Sequence, residues 1–393
     1  MDGMQKLLGL SGFMNLEDTD EARPESPPEC YTPADAVKPD ARQGHKKDLP
    51  ISKVSMGGRK VPIVKTVLTS ACERNCYYCA FRSGRDFRRQ TFKPEELSSL
   101  YTSIYNSGAV QGLFLSSGVA GGGVRTQDQL LATAEVLRKK QEYKGYLHLK
   151  LMPGAEYAQV ERAMQLADRV SVNLEAPTTA RLERLAPQKT FLDELLQPLR
   201  WVEEIRRSQP QHKGWNGRWP SSSTQFVVGA VGDTDLELLQ VTDYLTNRLR
   251  LRRAYFSGFR PIEGTPLDHL TAENPWRTYR LYQASFLIRD YGFRFEDMPF
   301  AENGYLPLDT DPKLAWARFN LAGAPVELNR ADLQELLRVP GIGPKGAQAI
   351  LSARRRQRLH NLDDLKALGI SVGRLAPYVL LAGRRPVFQP ALF

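Results

Sequence analysis

The chain is poor in cysteine, with four in 393 residues. So few cannot frame a disulfide-stapled fold, and three of the four fall within eight residues, which fits a reducing, cytoplasmic setting. No apolar run is long enough to cross a bilayer, so no membrane partner is expected. The first 16 residues hold a short apolar patch but no basic start or small-residue cleavage site, so no secretory leader is expected. Near the cysteine cluster there is no fourth cysteine or histidine, and a closed four-ligand zinc site is therefore not available locally. Acidic residues are scarce at one end. The formal net charge is +10, and from Asn329 onward 11 Lys/Arg stand against 4 Asp/Glu, an excess of +7. That asymmetry suits a polyanion partner, with a solvated basic face as the plain alternative. What is present, 41% hydrophobic and 25% charged residues, is ordinary for a globular protein of two or three domains.

Cys72, Cys76 and Cys79 have the spacing C-x3-C-x2-C. Thiolates are soft ligands that suit iron–sulfur clusters and zinc. On a four-iron cubane, three cysteines leave one iron open to an amine and a carboxylate. Three thiols packed as small hydrophobes are the bland alternative, disfavoured by the polar Glu73, Arg74 and Asn75 between them. The motif resembles that of the radical S-adenosylmethionine (SAM) superfamily. The resemblance implies a [4Fe–4S] cluster on Cys72, Cys76 and Cys79 that passes an electron to SAM and yields a 5′-deoxyadenosyl radical, with Tyr78 beside the adenine.

Residues 1 to about 55 are acidic and Pro-rich in part (Arg-Pro-Glu-Ser-Pro-Pro-Glu), which predicts poor order. Cys30 falls here and reads as incidental. From there, short β-branched runs alternate with helical ones. Strands are predicted at 61–68, 112–117, 146–151, 169–175, 224–230 and 253–259. Helices are predicted at 94–106, 127–140, 155–166, 179–186, 192–207, 235–248 and 275–290. Six such units predict an α/β fold, a partial (βα)6 barrel over 56–300, two units short of a closed barrel. Ligands in parallel α/β folds sit at the carboxyl ends of the strands. By resemblance, Ser117 and Gly118 stand where the superfamily holds the SAM amino group. Asn173 and Glu175, on one strand face by period two, are candidates for the ribose or amine. Gly229, in Val-Gly-Ala-Val-Gly-Asp, is a candidate adenine contact. Pro261-Ile-Glu-Gly-Thr-Pro266 resembles a Gly-Thr-Pro loop of several of these enzymes.

Residues 301–328 read as a connector and 329–393 as a small all-α module. A helix at 329–338 capped by Asn329 leads into Val-Pro-Gly-Ile-Gly-Pro-Lys345 and a basic helix at 347–356. This pattern resembles the helix-hairpin-helix DNA-binding motif. Gly341 and Gly343 let backbone approach a phosphate, the second helix offers its amides, and Lys345, Arg354 and Arg355 add charge. Residues 360–380 resemble a second, degenerate copy. A domain-packing αα-hairpin is the bland alternative.

Taken together, residues 62–378 resemble the DNA modification/repair radical SAM proteins, often encoded beside a uracil-DNA-glycosylase-like protein. The stretches that carry this include Leu-Phe-Leu-Ser-Ser-Gly118, Gly-Tyr-Leu-His-Leu-Lys150, Asp-Arg-Val-Ser-Val-Asn-Leu-Glu175 and Asp-Pro-Lys-Leu-Ala-Trp316. The resemblance implies a radical SAM enzyme acting on DNA, a flavodoxin- or ferredoxin-like reductant, and the glycosylase-like protein as a partner. The rivals are an RNA-modifying radical SAM enzyme and a non-catalytic iron–sulfur DNA-binding protein.

Overall fold

The computed structural model describes residues 2–14, 23–24, 49–56 and 59–387. By contacts the chain divides into two units. One holds residues 1–22, 31–233 and 244–278, and the other 23–30, 234–243 and 279–393. The second unit thus takes residues 234–243 as well as the run from Tyr279 onward.

The first unit is built on a seven-stranded sheet in strict sequence order, β1 to β7. The strands are β1 Ile51–Met56, β2 Arg59–Val67, β3 Gly112–Ser116, β4 Tyr146–Lys150, β5 Arg169–Ser171, β6 Ser221–Val228 and β7 Arg253–Gly258. From β2 onward all pairs are parallel, and the sheet curls as an open half-barrel with β1 and β7 at its edges. The six expected parallel strands are all present. An extra one, β1, pairs antiparallel with β2 through residues Ile51↔Val64 to Met56↔Arg59.

Crossover helices cover the outer face. Helix Pro94–Asn106 starts on a proline, carries Glu95 and Glu96 in its first turn, and buries Leu97, Tyr101 and Ile104. Proline at the first position and acids beside the amino-terminal amides both favour that start. The strands match: in β4, Leu147 and Leu149 are fully buried while Tyr146, His148 and Lys150 take the other face.

Helix Gly3–Met14 corrects the expectation of poor order at the amino terminus. Its three glycines make it a weak helix on propensity, and tertiary packing supplies the rest. Leu7 and Leu10 are buried. Phe13 packs on Phe81 and Phe87 at 5.4 and 5.3 Å between ring centres, and Lys6 pairs with Glu96 at 2.6 Å. Cys30 and the Pro-rich stretch around it lie outside the described residues.

The second unit has its own apolar core, in which Leu328, Leu336, Val339, Ala347, Ile350, Leu365, Leu375 and Val379 are fully buried. Helices Pro312–Asn320, Leu333–Arg338, Pro344–Ala353 and Leu362–Ala367 surround it, and Val326–Glu327 pairs with Val379–Leu380. The first hairpin helix starts four residues later than expected. Asp332, not Asn329, caps it by accepting from the Glu335 amide at 2.8 Å. Asn329 instead clamps Leu359, donating to its carbonyl and accepting from its amide, both at 2.9 Å.

Lys313 is buried beneath the hairpin turn and donates to the Ile342 carbonyl at 2.5 Å. Burial pushes its ammonium from the ordinary 10.5 down to about 7. Between those values the unfolded chain keeps a proton that the folded chain has released, so stability rises with pH. Urea titrations of the wild type at pH 7, 8.5 and 10 are expected to show that rise. Lys313→Met, which keeps the stem and removes the titration, is expected to flatten it; an unchanged slope would contradict the assignment.

Candidate functional site

The loop after β2 carries all three clustered cysteines and is fastened on every side. Leu68 and Gly118 tie it to the end of β3, through Leu68 N–H to Ser116 O at 2.8 Å and Gly118 N–H to Thr69 O at 2.7 Å. Glu73 accepts from the amides of Gly121 and Gly122 at 3.1 and 3.2 Å. Tyr77 donates its amide to Leu185 O at 2.9 Å. Arg74 pairs with Glu194 at 2.5 Å and also donates to the Gln188 carbonyl. Arg89 closes the loop on itself, donating to the carbonyls of Ser70, Phe81, Arg82 and Arg85 at 2.6 to 2.9 Å. Arg89 is thus an internal brace of the loop.

Cys76 is buried, and Cys72 and Cys79 are partly so. No disulfide engages them. Burial pushes the Cys76 thiol up and takes Cys79 to about 12. Protonated thiols give up their protons to a metal, so loading of such a site releases protons. Among the described residues no group of three or more His, Cys, Asp or Glu could hold a single metal ion. A cubane spreads three thiolates over three iron corners and needs them wider apart than one ion does.

Around this loop two buried polar atoms, Ser117 Oγ and Arg74 Nε, lack hydrogen-bond partners among the described residues. Unsatisfied buried groups are rare and ask for an explanation such as a missing ligand. Ser117 is one of the residues singled out from sequence. Gly118 is also constrained, because a Cβ there would fall on the carbonyl of Ala71, next to Cys72. Gly118→Ala is expected to push that carbonyl aside and cost about 1–3 kcal/mol. Urea unfolding together with iron content after reconstitution tests this; wild-type values for both would show that the loop has slack.

Asn173 and Glu175 lie beyond the regular part of β5. Regular pairing of β5 ends at Ser171, and Glu175 takes a left-handed backbone, φ 64°, which is costly for a residue with a Cβ. Asn173 accepts from Lys150 Nζ at 2.5 Å. Glu175 pairs with Lys189 at 2.9 Å, with side-chain exposures of 4% and 10%. Burial pushes the Glu175 carboxyl up, but the charges of Lys189 and Lys150 outweigh it and hold it below the usual range. Tyr78 is next to this carboxylate, and burial followed by the Glu175 charge raises its phenol well above normal. Cys76, Tyr78, Glu175 and Lys189 therefore form one electrostatic group. Lys189 was not foreseen from sequence.

Gly229 sits at the end of β6 with φ 93°. Its amide donates to both Asp233 carboxylate oxygens at 3.1 Å. Arg277 bridges Asp233 and Glu273, at 3.2 and 2.5 Å, and a Cβ at 229 would fall on the Glu273 carboxylate. The turn is thus locked by an acid–arginine network.

In the second unit, Gly341 takes φ 82°, Gly343 caps helix Pro344–Ala353, and Lys345 and Arg355 are exposed. Arg354 is already committed, donating to the carbonyls of Leu328 and Ala331 at 3.0 and 2.6 Å.

Residues 322–370 match the family model of the helix-hairpin-helix motif. No curated protein matches the chain. Among solved structures, the chain is similar to methylornithine synthase, with 13% identity, a TM-score of 0.45, and 58% of this chain and 61% of that one covered. It is similar to the FeFe-hydrogenase maturase HydG from Carboxydothermus hydrogenoformans, with 16% identity, a TM-score of 0.46, and 58% and 51% covered. It is also similar to a radical SAM methyltransferase from Sphaerobacter thermophilus, with 13% identity, a TM-score of 0.44, and 71% and 86% covered. The chain thus spans 61% and 51% of the length of the first two.

Proposed function

We propose that the chain is a radical SAM enzyme with a [4Fe–4S] cluster, acting on DNA. One observation carries the reading. Three thiols sit in a single loop braced at the carboxyl end of β2, and the unpartnered buried hydroxyl of Ser117 and the buried carboxylate of Glu175 lie past the ends of β3 and β5. Cys72, Cys76 and Cys79 would hold the cluster. Ser117, Gly118, Tyr78 and Glu175 would line the place for SAM, and Gly229 would border it. When bound, the cluster and SAM supply one-electron cleavage of a sulfonium bond. The protein's own part is to brace the loop through Arg89, Arg74 and Glu73, and to keep the Glu175–Lys189 pair charged beside Cys76. The hairpin at Gly341 to Lys345, with Arg355, would hold a nucleic-acid backbone by amides and charge, fixing position without reading sequence.

The test is anaerobic reconstitution with iron and sulfide, then assay of 5′-deoxyadenosine with and without duplex and single-stranded DNA. Cleavage of SAM stimulated by DNA is expected. Turnover that is equal with DNA, with RNA and with neither would remove the DNA assignment; no turnover in iron-replete protein would remove the enzyme assignment.

A further inference from the structure

The first turn of helix Pro312–Asn320 puts a lysine where an apolar side chain would pack with less loss of hydration. Lys313 is buried. An ammonium can donate three hydrogen bonds. Among the described residues Lys313 makes one, to the Ile342 carbonyl at 2.5 Å. The Tyr291 ring, 4.6 Å from Nζ to its centre, offers its face as well. Burying an ammonium with so little compensation is costly, so packing alone does not account for this residue.

The carbonyl that Lys313 holds belongs to the hairpin turn. It faces inward, onto the ammonium, and no peptide bond among the described residues is cis. In a trans peptide the N–H points opposite to the carbonyl, so the Gly343 N–H points away from Lys313. That N–H has no acceptor among the described residues. Gly343 is partly exposed and caps helix Pro344–Ala353, with Gly341 and Lys345 exposed on either side of it in sequence. One peptide thus presents its oxygen to a buried cation and its N–H to the outer side of the turn. Hydrogen bonds in a chain polarise one another, so charge on Lys313 makes the Gly343 N–H a stronger donor.

We propose that Lys313 is a positioning residue of the phosphate grip: from behind the turn it polarises the Ile342–Gly343 peptide, and a nucleic-acid phosphate on the outer side is taken up together with a proton on the lysine. This rests on the reading of the hairpin as a nucleic-acid grip, and adds a group that acts on the ligand without touching it. The pH window follows from the lysine's surroundings. Burial brings its ammonium down to about 7. Of the charged side chains bearing on it, Asp311 favours the proton and Arg374 opposes it, and these two are bonded to each other. Tyr291 is neutral in this range, because burial, then the Asp290 charge, raises its phenol. A bound phosphate adds negative charge and moves the lysine above 7. Affinity is then highest below that value and falls as pH rises toward 9. Stability of the free protein runs the other way, rising over the same range, so weaker binding at pH 9 cannot come from unfolding.

The test is titration of the full-length protein with a short labelled duplex DNA at pH 7 and pH 9, at constant ionic strength. Calorimetry at pH 7.5 in two buffers of different ionisation enthalpy accompanies it and counts the protons taken up. If the phosphate raises the lysine by about one unit, wild type binds about fivefold more weakly at pH 9 and takes up about half a proton per complex. Lys313→Met is expected to bind equally at the two pH values and to take up no proton. A lysine that only supports the fold would change affinity by the same factor at both pH values when replaced. Equal pH slopes in wild type and Lys313→Met therefore overturn the proposal. So does wild-type binding without proton uptake, a result that needs no variant to fold, and it leaves the nucleic-acid reading standing. Binding of no duplex at either pH removes that reading and this inference with it.

Discussion

Cys76→Ala protein, reconstituted anaerobically, is expected to keep less than about a tenth of wild-type iron, because a cluster's affinity is built from its thiolates together. SAM cleavage should fall roughly a thousandfold or more, toward the uncatalysed rate. Cys76 is the buried member of the three and faces Glu175 and Lys189, so no flexible neighbour can stand in for it. Cys30→Ala should keep both iron and turnover. Iron and sulfide counts per chain, the electronic absorption of the cluster and 5′-deoxyadenosine yield are the readouts. Wild-type protein holding zinc in place of iron, or Cys76→Ala protein with a full cluster, would end the radical SAM reading.

Lys189→Met is expected to be the most destabilising of the single changes discussed. It leaves the Glu175 carboxylate in a buried place with its ion-pair partner gone, and breaking such pairs costs about 3–5 kcal/mol. The pair is nearly closed to water and 2.9 Å long, so little screening softens the loss. The double variant Glu175→Gln, Lys189→Met should recover a good part of it, since the stranded charge is then absent. Urea unfolding of the four proteins in the cycle measures the coupling. Additive effects would show that the two side chains do not depend on each other.

How much of this was readable beforehand differs from element to element. The six parallel strands were legible because each is a short β-branched or apolar run between turn residues, as in Val-Pro-Ile-Val and Gly-Leu-Phe-Leu-Ser. β1 was missed because it follows a Pro-rich stretch whose composition argued for disorder. Helix Gly3–Met14 was missed for a different reason: its glycines lower propensity, and the Phe81 and Phe87 rings that hold Phe13 lie some 70 residues away. The cysteine loop was legible because its three thiols are local in sequence. Its braces were not, since Lys189, Gln188 and Glu194 carry no local signal tying them to Cys76 or Arg74. One signal was present and passed over. Parallel strands covered on both faces read as nearly continuous apolar runs, whereas Tyr-Leu-His-Leu-Lys and Arg-Val-Ser-Val-Asn alternate. That alternation announces a polar interior.

The strict β1-to-β7 order of the sheet has a consequence for biogenesis. Each new strand can add to the edge just laid down while synthesis continues, and domains do form in this vectorial way. The thiols, however, leave the ribosome long before their anchors. Leu185, Gln188 and Glu194, which hold the backbone and side chains of residues 74–77, emerge more than 100 residues after Cys79. If the loop holds the proposed cluster, iron delivered earlier would meet an unfastened loop, and metallation would belong late in translation or after it.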